Sequence, residues 1–236
     1  MRLLLLSNST RPGEEYLAWP RPHLASFLGK ARQRILFVPY AGVRMTAAAY
    51  TASVRSVFEQ LGHTIVGAAE HPDPVRGLRE CDAVAVGGGN TFHLLARLYE
   101  SGLLDAIRDR VGAGAQYVGW SAGANVACPT IRTTNDMPIV EPQGFAALSL
   151  VPFQINPHFL DADASSRHMG ETREDRLREY LEENTAPVVG LREGAWLRRE
   201  GGRLTLGGRN GARVFRRGAE AAERAPGASM DDLLGP

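Results

Sequence analysis

Residues Gly119 to Gly123 read GWSAG, a match to G-x-S-x-G. In that pattern a serine occupies a sharp strand-to-helix turn that exposes its hydroxyl, and flanking glycines permit the turn without Cβ clashes. The context fits, since Gln116 to Gly119 precedes the serine as a strand and AGANVAC follows it as the opening of a helix. The chemistry such a serine supports is acyl transfer. The unpaired amide of Ala122 at the start of the helix would then stabilise an oxyanion. The bland alternative is a serine that only caps the helix. A second backbone donor is offered by VGGGNTFHLL, Val86 to Leu95, where a strand ends in Gly87, Gly88 and Gly89 before another helix. A phosphate cradle is the competing reading of that segment, but it matches neither G-x-G-x-x-G nor G-x-x-x-x-G-K-[ST].

A serine hydroxyl becomes a useful nucleophile only when a base takes its proton, so one of the six histidines should reach it. His23 and His71 sit beside prolines in expected surface loops, and His63 precedes a strand. His93 follows GGGN on the first turn of a helix, where a core or surface role is equally open. His158, in QINPHF, ends an apolar strand and ranks first, provided that strand runs parallel to the one bearing Ser121. His168, in SSRHMGETR, is the runner-up. The orienting acid is Asp136, Glu141 or Glu193. Glu193 follows a short apolar strand, whereas the other two lie on a long loop. Choosing Glu193 gives the order Ser, His, Glu, unlike the Ser, Asp/Glu, His order of α/β hydrolases.

These groups need a scaffold that delivers several strand ends to one edge. Short apolar runs (Arg2 to Leu6, Ile35 to Val38, Thr64 to Val66, Ala83 to Val86) alternate with helical patterns at Thr46 to Leu61, Thr91 to Tyr99 and Leu103 to Val111. This is an α/β rhythm, and strands without strict alternation predict a sheet covered on both faces. After Pro129 a polar loop runs to apolar segments at Leu148 to Phe153, and a helix follows from Arg173 to Glu183. Val188 to Phe215 reads as short antiparallel strands closing the sheet. One domain over residues 1–236 is expected, with 219–236 as a frayed tail.

Composition narrows the function further. With 27 basic and 26 acidic residues, the chain has no single-sign field for nucleic acid or an anionic membrane. A small substrate is expected. No stretch approaches the roughly 18 apolar residues of a membrane span. The N-terminal apolar run meets Ser, Asn and Pro rather than a cleavage site, so it reads as a strand and the expected location is the cytoplasm, with Cys81 and Cys128 as reduced thiols. H-E-x-x-H and Cys/His clusters are absent from the sequence, so neither metal nor cofactor is expected. The loop from Asn135 to Gly144 is open to two uses, packing against a second subunit or covering its own core.

Taken together, LLLLSNST, FVPYAGV, VGGGNTFHLL, GWSAGANVACPTIRTTNDMPIVEP, QINPHF and GETRE resemble the peptidase E (aspartyl dipeptidase) family of serine peptidases, from Leu3 to about Phe215. The resemblance implies a three-layer α/β/α fold with a mostly parallel sheet, similar to class I glutamine amidotransferases. It also implies a Ser-His-Glu triad and cleavage of dipeptides beginning with aspartate. Carried over by motif, Ser121 is the nucleophile, His158 the general base and Glu193 the orienting acid. Asp136 stays a rival for an essential role. Gly88 or Gly89 joins Ala122 in the oxyanion hole, and Asn90 is placed with Arg173 in substrate binding. The nearest competing activity is a cyanophycinase-like or isoaspartyl hydrolase on the same scaffold. A non-catalytic binder of small anions is the competing class.

Charge gives an independent reason to expect aspartate. Thr172 and Asp175 form a capping-box pattern that puts Arg173 in the first helical turn. A cation there opposes the helix dipole, at a cost of about 0.3–1 kcal/mol. An arginine fork beside free helix amides is, in compensation, a carboxylate receptor. The alternative is a solvated arginine paired to Glu171 or Glu174.

Overall fold

The computed structural model describes residues 1–162 and 170–235. In chain order the elements are β1 (Arg2–Leu6), α1 (Arg21–Leu28), β2 (Arg34–Val38), α2 (Ala47–Gln60), β3 (Thr64–Gly67), α3 (Pro74–Arg79), β4 (Ala83–Val86), α4 (Thr91–Glu100) and α5 (Leu103–Gly112). They continue with β5 (Gln116–Trp120), α6 (Ala122–Asn125), β6 (Gln154–Phe159), α7 (Arg173–Glu183), β7 (Val188–Arg192), β8 (Ala195–Glu200), β9 (Arg203–Gly208), β10 (Ala212–Phe215) and β11 (Ala222–Arg224).

Seven strands form the main sheet in the order β3-β2-β4-β5-β1-β8-β9. The five from β3 to β1 are parallel, and β8 and β9 add an antiparallel edge. Both faces are buried, which explains the unbroken apolar strands. Leu4 and Leu6 of β1 pack with Phe27 of α1 and with Val54 and Phe58 of α2 on one face. Leu3 and Leu5 pack with Leu94 and Leu98 of α4 and Ile107 of α5 on the other. The result is three layers, helices over sheet over helices. The central order β4-β5-β1 brings three strand C-termini side by side, so the GGG turn, Ser121 and Ser7-Asn8 emerge at one edge.

A smaller sheet, β11-β10-β7-β6, lies beyond that edge, with β6 and β7 parallel. Helix α7 covers it through Leu177 and Leu181, packed with Phe159, Val188 and Phe215. Its first turn is closed by the expected capping box, since Thr172 Oγ1 accepts from the Asp175 amide at 3.1 Å and Asp175 Oδ2 accepts from the Thr172 amide at 2.9 Å.

Several expectations are corrected. The strands of Val188 to Phe215 do not all close the main sheet, because β7 and β10 belong to the smaller one and only β8 and β9 extend the larger. The sequence shows four short strands but not where the chain changes sheet. The tail is not frayed over its described length. Strand β11 pairs with β10, the Met230 amide donates to Leu204 O at 2.8 Å, and Met230 and Leu233 are buried. Two apolar anchors suffice to hold a segment whose average composition is polar. Within Leu148 to Phe153 the apolar Leu148, Leu150, Val151 and Phe153 are buried without forming a strand. Helices α1 and α3, each opened by proline in its first turn, were too short to stand out by periodicity.

Candidate active site

Ser121 joins β5 to α6 with φ 52° and ψ −114°, a backbone conformation costly for any residue with a Cβ. It persists because neighbours fix it. The Ser121 amide donates to Leu6 O of β1 at 3.0 Å, and its carbonyl accepts from the Ala124 and Asn125 amides. The turn is tight enough that a Cβ on Gly119 would collide with the Gly123 backbone, and one on Gly123 with Val86 of β4. The two glycines of the motif are therefore steric requirements.

His158 comes from the other sheet. It also has a positive φ, 53°, and it sits where the β6-β7 register shifts between Pro157 and Phe159. That irregularity turns its imidazole across the gap, and its Nε2 lies 2.9 Å from Ser121 Oγ. Its Nδ1 lies 2.6 Å from Oε1 of Glu193, in the turn between β7 and β8. The Glu193 carbonyl accepts from Asn210 Nδ2 at 2.6 Å, and the next amide, Gly194, donates to Asn8 Oδ1 at 2.8 Å. Three expected residues thus stand in a hydroxyl-imidazole-carboxylate relay. Such a relay can deprotonate the serine and stabilise the imidazolium that results. The expectation that β6 is parallel to β5 in one sheet is replaced. It is parallel to β7, and the turn from β7 to β8 carries the chain through Glu193 back to the main sheet.

Gly88 stands against the serine, since a Cβ there would lie 2.9 Å from that of Ser121. Its carbonyl is held by Tyr50, whose hydroxyl donates to it at 3.0 Å while accepting from Trp120 Nε1 at 3.1 Å. Among the described residues the amides of Gly88, Gly89 and Ala122 have no acceptor, as donors for an oxyanion must be.

Asp136 is used elsewhere. Its Oδ2 accepts from the Thr91 amide at 2.8 Å, from Thr91 Oγ1 at 2.6 Å and from Thr134 Oγ1 at 3.1 Å, which places its charge at the positive end of α4. Asn90, expected to bind substrate, has its amide committed at both ends. Oδ1 accepts from the His93 amide at 3.0 Å, capping α4, and Nδ2 donates to Met137 O at 2.8 Å, pinning the long loop. Glu141 stays exposed on that loop. His93 Nδ1 contacts Tyr40 O at 2.6 Å, a structural bond, and His168 lies outside the described residues.

Arg173 lines a concavity with Asn135, Asp136 and Asn156. The paired alternatives are ruled out by their own partners, because Glu171 contacts Arg176 at 3.6 Å and Glu174 bonds Arg178 and Arg213. Among the described residues the Arg173 guanidinium has no ion-pair partner. Burial and the neighbouring Arg176 lower its pKa from the ordinary value, against the opposing pull of Asp136.

Sequence reasoning missed Ser7 and Tyr50. The Ser7 hydroxyl accepts from the His158 amide at 2.9 Å, and no local spacing announces a bond across 151 positions. Tyr50 lay within a helical pattern as a core residue, and its reach to the GGG turn follows only from the packing of α2.

Comparison with known proteins agrees with this geometry. The profile described as Peptidase family S51 matches residues 3–207. A peptidase E of Streptomyces coelicolor is 54% identical over 234 residues, covering 99% of this chain and 95% of that protein. A peptidase E of Shigella sonnei is 52% identical over 224 residues, covering 94% and 96%. The crystal structure of a peptidase from an acI-B1 actinobacterium superposes with a TM-score of 0.73 at 17% identity, over 97% of this chain and 96% of that one, and so supports the fold. With a strained serine hydrogen-bonded to a histidine-glutamate pair, and half of all positions shared with these relatives along nearly the whole length, the chain belongs to peptidase family S51 and is a serine-type peptidase.

Proposed function

We propose that this peptidase hydrolyses dipeptides with an N-terminal aspartate through an acyl-enzyme on Ser121. The observation that carries the reading is the Ser121-His158-Glu193 relay together with Arg173, which is half-buried in a concavity lined also by Asn156, two residues before His158 on β6, and which among the described residues has no ion-pair partner. An arginine fork at the start of α7 suits a side-chain carboxylate, which it holds by paired hydrogen bonds.

In the first step Ser121 Oγ attacks the aspartyl carbonyl while its proton passes to His158 Nε2. The carbonyl electron pair moves onto oxygen, facing the amides of Ala122 and Gly88 or Gly89. Collapse breaks the C–N bond as His158 returns the proton to the leaving nitrogen. Water then repeats the sequence on the ester, with His158 as base, and releases aspartate. Glu193 holds the imidazole in the tautomer that leaves Nε2 free to accept, and it stabilises the cation formed. Every proton and electron pair is accounted for by protein groups and water. We further place the enzyme in the cytoplasm, a reading supported by Cys81 and Cys128, two buried thiols not joined to each other.

The test is product release from Asp-Leu, isoAsp-Leu, Glu-Leu, Asn-Leu and Ala-Leu, run beside Ser121→Ala. Cleavage of Asp-Leu alone, abolished by the substitution, is expected. Preference for isoAsp-Leu moves the assignment to an isoaspartyl hydrolase, and turnover retained by Ser121→Ala rejects the acyl-enzyme.

A further inference from the structure

A second cleft, of ≈ 470 Å³, is lined in part by Gly88 and Gly89 and shares no lining residue with the Arg173 concavity. Its walls are Tyr16, Val43, Met45 and Ile139, and Arg44 is the cation among its lining residues. Val43, Met45 and Ile139 are each about half exposed, at 52%, 49% and 51%. Three large apolar side chains turned to water around one hollow mark a binding surface better than a fold requirement. Arg44 is exposed, and among the described residues no carboxylate pairs with it.

The position of this cleft is fixed by Gly88, which touches both it and Ser121. A short substrate crossing Ser121 has its acyl residue on one side of the oxyanion donors and its leaving residue on the other. With the aspartyl side chain directed to Arg173, the leaving residue falls into the cleft lined by residues 41–45. Asn90 lines this cleft and Met137 lines the Arg173 concavity, so the hydrogen bond from Asn90 to Met137 O runs between the two. A leaving residue of a dipeptide brings two features, a side chain and a free carboxylate. The apolar walls suit the former and the unpaired guanidinium the latter.

Building on the aspartyl-dipeptide reading, we infer that this cleft is the subsite for the leaving residue. Val43, Met45 and Ile139 take an apolar side chain, and Arg44 binds the free α-carboxylate. Arg44 thereby restricts the enzyme to dipeptides, because a longer peptide presents an uncharged amide where the anion should sit.

The experiment compares Asp-Leu with Asp-Leu-amide in the wild type and in Arg44→Ala, an exposed position whose substitution leaves the fold intact. In the wild type, kcat/KM for the acid should exceed that for the amide at least tenfold. In Arg44→Ala that ratio should collapse toward one, with the change carried by KM. An unchanged ratio, or equal losses on both substrates, overturns the role of Arg44. Ile139→Ser should likewise shrink the preference for Asp-Leu over Asp-Ala several-fold, and an unaltered preference removes the apolar subsite. The two levels of reading separate cleanly, since a wild type that cleaves no Asp-X dipeptide fails the parent assignment, whereas active wild type with an indifferent Arg44 variant fails the subsite alone.

Discussion

The Ser7 hydroxyl accepts from the backbone amide of His158 at 2.9 Å and donates to Leu191 O at 2.8 Å. Ser7 follows β1 of the main sheet, and both of its partners belong to the smaller sheet. One fully buried hydroxyl therefore joins the scaffold that carries Ser121 to the one that carries its base. Ser7→Ala leaves a donor and an acceptor unpaired away from water, at a cost of about 1–3 kcal/mol. It should lower Tm and, by loosening His158, depress kcat more than it raises KM. Thermal unfolding with steady-state kinetics on Asp-Leu checks both, and a variant with wild-type kcat denies Ser7 any positioning role.

Tyr50 acts one bond away from the chemistry. A trans peptide points its C=O and N–H in opposite directions, so the bond from Tyr50 to Gly88 O also aims the Gly89 amide away from Tyr50. Burial raises the Tyr50 pKa and keeps the phenol a donor. Tyr50→Phe retains the ring that packs on Phe37 but frees that peptide to rotate. We expect kcat to fall by about 10-fold, less than the 10²–10³ lost with an oxyanion donor itself, at nearly unchanged KM. Equal kcat in the two proteins would mean that the glycine turn holds its own shape.

Glu193 and Asp136 were rival acids, and their surroundings predict different failures. Glu193→Gln removes the charge that stabilises imidazolium and should cut kcat by about 10²–10⁴ while Tm stays close to wild type. Asp136→Asn disturbs three hydrogen bonds at the start of α4 and a carboxylate near Arg173. It should lower Tm and raise KM for Asp-X dipeptides. Parallel measurements of Tm, kcat and KM on the two variants decide between the roles; a stable Asp136→Asn with collapsed kcat and normal KM would return Asp136 to the proton relay.

What was legible in the sequence was what is encoded locally. GWSAG announces its own turn because the two glycines are needed where they stand, and Thr172 with Asp175 announces a helix start three residues long. His158 and Glu193 were found at strand ends, although the parallel pairing assumed for His158 was with the wrong strand. Whether a strand joins one sheet or its neighbour depends on contacts made far along the chain, and the apolar pattern of β7 is the same in either. Asn90 shows the converse limit. Expected in substrate binding, it also caps α4 through the His93 amide and holds Met137 O, a bond across 47 positions that no local pattern announces.

A last prediction concerns acid stability near the site. Arg192, the residue before Glu193, bonds both oxygens of Asp161 at 2.7 and 2.8 Å and also contacts Glu223, so one guanidinium gathers residues beyond the end of β6, at the end of β7 and within β11. The hydrogen bond and charge of Arg192 lower the Asp161 pKa from its ordinary value, despite partial burial. A carboxyl with a depressed folded pKa stabilises the fold above the unfolded value, about 3.9, and loses that contribution as pH falls through the folded value. Because the Asp161 side chain is 49% exposed, screening limits the effect to about 1 kcal/mol or less. Asp161→Asn should therefore be slightly less stable than wild type at pH 7, and the gap should close on acidification below pH ~4. Denaturant unfolding of both proteins between pH 7 and pH 2 measures it. A gap that stays constant across that range would show that the pair contributes through packing and neutral hydrogen bonding, with no net gain from its charge.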